Sequence, residues 1–92
     1  MTLTQGAFRA YDFNRMVVIF TMMNDKTEVS CAVSTVAMDD LDAPFKATAE
    51  QREAQFLRLR DRIEQRAAQK FLDGSFERTR SEIVLRSIDF FK

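Results

Sequence analysis

The chain of 92 residues contains no histidine. That removes the commonest general acid–base group near neutral pH and the commonest metal ligand. It also removes any nucleophile that a histidine must activate. Cysteine occurs once, at Cys31, so the chain can form no disulfide with itself and has no thiolate cluster for a structural metal. Small secreted domains are more often stapled by disulfides. Glycine occurs twice and proline once. There is no Gly-rich phosphate loop, no Gly-Lys-Ser/Thr sequence and no Gly-x-Ser-x-Gly elbow. Neither sign of charge prevails, with 14 basic and 14 acidic residues. A protein that lives on phosphate contacts usually carries a basic excess. No run approaches the roughly 18 apolar residues of a membrane span. The opening MTLTQGAFRAYDF has no basic region followed by an apolar run, so no signal peptide is expected. These absences lead us to expect a cytoplasmic protein of bacterial type, non-enzymatic, without metal or cofactor and without a membrane partner.

What is present fits one domain over residues 1–92. Apolar residues make up 46% and charged residues 30%, an ordinary globular balance. Nine Phe and five Met stand against one Tyr and no Trp. The core should therefore be packed largely with Phe, with Met as flexible filler. The charges are unevenly spread. Residues 1–45 hold Arg9, Arg15 and Lys26 against Asp12, Asp25, Glu28, Asp39, Asp40 and Asp42, whereas the remainder is richer in basic residues.

Residues 8–11 alternate as a short opening strand, and Asp12, Asn14 and Arg15 supply a turn. Residues 16–23 (MVVIFTMM) are apolar nearly throughout, as a central strand requires. Met16, Val18, Phe20 and Met22 would share one face, and Val17, Ile19 and Met23 the other. Asn24 and Asp25 separate this run from Thr27, Val29, Cys31 and Val33, which alternate with small polar residues as a half-buried strand. Ser34 or Thr35 can cap a short helix over residues 36–41, and Pro44 ends it in a loop. Residues 48–72 form the longest helix, rich in Ala, Glu, Gln, Arg and Leu. Thr48 and Gln51 have capping-box spacing, and Gly74 is a stop. Phe56, Leu59, Ile63, Ala67 and Phe71 follow helical spacing along one side. Residues 82–86 read as a last strand, with Ile88, Phe90 and Phe91 folding back onto the core.

The expected fold is α+β in two layers, ordered β-β-β-α-α-β. An antiparallel sheet of about four strands has one long helix on one face. The last strand could lie beside the first or the third. The second strand is greasy on both faces, so something must cover its outer side. The short helix, the C-terminal phenylalanines or a second copy of the chain could do so. A homo-oligomer, and a homodimer first of all, is therefore expected.

Several groups could carry chemistry. Cys31 could be a reactive thiol, but its place between Val29 and Val33 favours a small packed hydrophobe. Asp39, Asp40 and Asp42 could hold a divalent cation, yet the spacing lacks the glycine and distant glutamate of an EF-hand. A solvated helix end is the plainer reading. Arg58, Arg62, Arg66 and Lys70 recur every four residues as a drifting basic stripe on one helix flank. Like charges at this spacing repel and want counter-charges. These could come from the acidic first half of the chain, from a partner or from phosphates. An anion or nucleic-acid face is the alternative to an internally paired flank. Arg60 falls beside Phe56 and Ile63, with Glu64 one turn on, which suggests a structural clamp.

The chain resembles a family of small bacterial proteins classed as domain of unknown function 1488. The resemblance lies in Phe8 with Tyr11-Asp12 and Arg15, and in Val29-Ser30-Cys31-Ala32-Val33-Ser34. It continues in Phe56, Arg60, Ile63-Glu64, Ala67 and Lys70, and in Glu82-Ile83-Val84-Leu85. It spans nearly the whole chain and departs most over residues 75–81. It implies a two-layer α+β fold and supplies no activity. Some members carry a regulator label, for which no chemical basis is visible in this sequence.

Overall fold

A computed structural model describes residues 3–73 and 82–91. The helix stop at Gly74 and the divergent segment 75–81 lie outside the described residues. Three strands come first: β1 (Thr4–Asp12), β2 (Val17–Asn24) and β3 (Thr27–Ser34). Helix α1 (Thr35–Leu41) follows directly. A short 3₁₀ turn (Ala49–Gln51) leads into the long α2 (Arg52–Asp73). Strand β4 (Ile83–Leu85) and a four-residue helix α3 (Ser87–Phe90) complete the described chain.

The four strands form one sheet in the order β1-β2-β3-β4. Tight turns make β1, β2 and β3 antiparallel neighbours. The expectation of a wholly antiparallel sheet needs one correction, because β4 lies beside β3 and runs parallel to it, pairing Cys31 with Ile83 and Val33 with Leu85. The cause is the connection. Parallel strands are joined by a long crossover that usually contains a helix, and α2, about 33 Å long at 1.5 Å per residue, carries the chain back before β4 begins.

Local chemistry accounts for the element boundaries. The Asp12 carboxylate accepts the Asn14 and Arg15 N–H groups at 3.0 and 3.2 Å, closing the first turn. Met16 belongs to that turn, with φ of 55°, and is about half exposed. It therefore does not extend the inner face of β2, as the apolar run had suggested. Ser34 caps α1, its hydroxyl accepting the Ala37 N–H at 3.0 Å. The Gln51 side chain accepts the Thr48 N–H at 3.0 Å at the entry to α2.

One face of the sheet carries the core. Val18, Phe20 and Met22 of β2, Cys31 and Val33 of β3, and Ile83 and Leu85 of β4 pack under Phe56, Ile63 and Ala67 of α2. Phe56 stacks at tilted angles on Phe20 and Phe8, with ring centroids 5.0 and 6.0 Å apart. Helix α1 joins this same core through Ala37 and Met38, so it does not cover the far face. Phe90 also packs on this core. The far face holds a small separate cluster of Val17, Ala32 and Val84, each at most 5% exposed, with Ile19 against it. On the outer side of β2, Val17 is thus closed off within one chain, while Ile19 and Met23 stay partly exposed.

Candidate functional site

The basic stripe is drawn inward by carboxylates and carbonyls from three other elements. Arg58 donates to Asp42 at the end of α1 at 2.7 Å, and its guanidinium lies 5.1 Å from the Phe45 ring centre. Arg66 donates through Nε to the Asp89 carbonyl of α3 at 2.7 Å. Lys70 donates to the Val84 carbonyl of β4 at 2.8 Å and lies 3.2 Å from the Asp89 carboxylate. Arg62 is exposed and makes no ion pair among the described residues. Three of the four stripe residues therefore tie α2 to α1, β4 and α3. Arg66 Nη1 is buried without an acceptor. Arg62, Gln65, Arg66, Gln69, Asp89 and Phe90 line a shallow hollow of about 200 Å³ on the seam between α2 and α3.

Arg60 and Glu64 come together at 2.8 Å. Arg60 also donates to the Gly6 carbonyl of β1 at 2.8 Å and lies 5.7 Å from the Phe56 ring centre. The pair ties α2 to the edge strand. Gly6 sits where the β1–β2 register shifts, and a side chain there would run into the Thr21 carbonyl of β2.

Sequence reasoning missed the most buried polar group. Arg52 is 7% exposed and Gln55 fully buried. Both reach Asp39 of α1, Arg52 Nη1 donating at 2.8 Å and Gln55 Nε2 at 3.0 Å. Burial by itself pushes the Asp39 carboxyl up. The hydrogen bonds from Arg52, Gln55 and the Ala47 N–H outweigh it and hold the group below its ordinary 3.8. The i, i+3 spacing of Arg52 and Gln55 was the only available signal. A second missed contact is Arg15 with the buried Glu82, at 2.6 Å.

Two of the three aspartates before Pro44, Asp39 and Asp42, share the Gln55 amide, which donates to them at 3.0 and 3.3 Å, and Asp40 is turned elsewhere. Asp39 faces Arg52, Asp42 faces Arg58, and Asp40 accepts the Ser87 hydroxyl at 2.6 Å. No group of three metal-ligating side chains occurs among the described residues. Cys31 has no exposure, and burial, followed by the nearby Glu82 and Glu64 carboxylates, pushes its thiol up to about 12. The thiolate is the reactive form of cysteine, so this one stays packed and protonated.

The open surface of the molecule is elsewhere. Val36 of α1, Ile88 of α3 and Phe91 just after it are 62%, 70% and 51% exposed. The expectation that Ile88 and Phe91 fold back onto the core fails, since only Phe90 does so. Two hollows flank Ile88. The wider, about 600 Å³, has Val17 and Val84 in its lining with Val36 and Arg86. The narrower, about 400 Å³, is lined by Asp40, Ser87, Ile88 and Phe91. This rim of apolar side chains over concave ground is the best candidate surface on the described chain. No described helix is long and apolar enough to cross a membrane.

Nothing among curated proteins matches the chain significantly. Its fold is similar to a crystal structure of a protein of unknown function from the DUF1488 family of Shewanella loihica PV-4. The TM-score is 0.74 at 19% identity, covering 89% of this chain and 92% of that one. At that identity the likeness speaks to fold alone. Residues 5–85 match the family described as "Protein of unknown function (DUF1488)", and the chain therefore belongs to that family, to which no activity is assigned.

Proposed function

We propose that this protein is a non-enzymatic interaction module of the cytoplasm that self-associates, and that its working surface is the rim formed by α1 and α3. The observation that carries the reading is the run of exposed Val36, Ile88 and Phe91 beside two hollows. Large apolar side chains grouped at a concave surface mark interaction sites more often than scattered ones do. Elsewhere the charged side chains are mostly occupied in holding elements together, and the single thiol is packed away, which suits a reducing compartment.

The alternative is an accessory anion- or nucleic-acid-binding protein. It keeps one supporting observation, the hollow bordered by Arg62 and Arg66, although Asp89 lines it too. Internal pairing of Arg58, Arg66 and Lys70 weakens it. Affinity capture with the tagged chain and its Ile88→Glu variant separates the two. The interaction module predicts a protein, the untagged chain included, retained by the wild type and lost with Ile88→Glu. Retention that is indifferent to Ile88→Glu overturns the rim as the working surface. Nucleic acid recovered with both forms and released by salt points to the alternative, because phosphate neutralisation is steeply salt-dependent.

A further inference from the structure

We draw no further inference here: the strongest candidate, the apolar rim of Val36, Ile88 and Phe91 that α1 and α3 raise beside two hollows, carries none, because nothing in the structure shows what covers it.

Discussion

Under α2, Phe20, Phe56 and Ile63 have no exposure, whereas along the rim Val36, Ile88 and Phe91 keep half or more of theirs. Both regions are built from aliphatic and aromatic residues. The difference lies in the length of the element that presents them. A 22-residue helix repeats its inward row over six turns and closes over the sheet. A four-residue helix has room for one inward side chain, Phe90, and its neighbours must point outward. The polar contacts follow the same division. At the start of α2 a buried arginine and glutamine converge on Asp39, and the glutamine reaches Asp42 as well. At α3 the Asp89 carboxylate accepts the Arg86 N–H and lies near Lys70, steering the short helix without hiding Ile88.

The contrast can be tested first where it predicts the largest loss. Phe56 fills the space between Phe8 and Phe20 with no exposure. Phe56→Ala should cost about 3–5 kcal/mol, the lost transfer energy plus a cavity that the rigid sheet cannot close. Urea unfolding followed by circular dichroism measures it. A cost under about 1 kcal/mol, which surface positions show, would mean that the covered face is loosely packed and the contrast is false.

The second test concerns the polar contacts that fix α1 to α2. Asp39→Asn leaves Arg52 and Gln55 in place and removes their anion, so we expect a loss of about 2–3 kcal/mol near neutral pH. The sign with pH follows from linkage. A carboxyl held below 3.8 in the folded chain binds its proton more weakly there than in the unfolded one. Its contribution is complete above that ordinary value and fades as pH falls through 3.8 towards the lower folded one. The difference between wild type and Asp39→Asn should therefore be constant above about pH 5 and shrink on acidification below it. A difference that persists undiminished at low pH would assign the loss to packing rather than charge.

Much of the fold could be read from residues whose neighbours in sequence are also their structural context. The inward row of α2, the Ser34 cap and the β2–β3 hairpin are of this kind, because each depends on a spacing of two to four residues. The direction of β4 is not, since it is imposed by the crossover and not by the residues 82–86 that form the strand. Met16 looked like strand because its side chain is apolar, while its own left-handed backbone angle places it in the turn before β2. The Arg52–Asp39 contact was hidden because the partners are 13 residues apart and meet only once α1 packs on α2. The Arg60–Glu64 pair was visible as a single helical turn, although its third contact, the Gly6 carbonyl 54 residues away, was not. Ile88 and Phe91 were misplaced for the opposite reason. Their hydrophobicity predicts burial, but the four-residue α3 packs only Phe90 against the core and leaves them outside it.

The smallest expected effect is the one that bears most on function. Ile88→Ala removes three carbons from a side chain that is 70% exposed in the single chain. At concentrations too low for association it should change stability by no more than about 0.5 kcal/mol. Repeated at high concentration, the same substitution should lower the unfolding midpoint relative to wild type, because a partner that binds only the folded state stabilises it by mass action. The concentration dependence is the informative quantity. Were Ile88→Ala to cost about 2 kcal/mol in dilute solution, the side chain would belong to the chain's own core, and the rim would be an extension of the covered face. Were it neutral at every concentration, the apolar rim would be exposed without consequence.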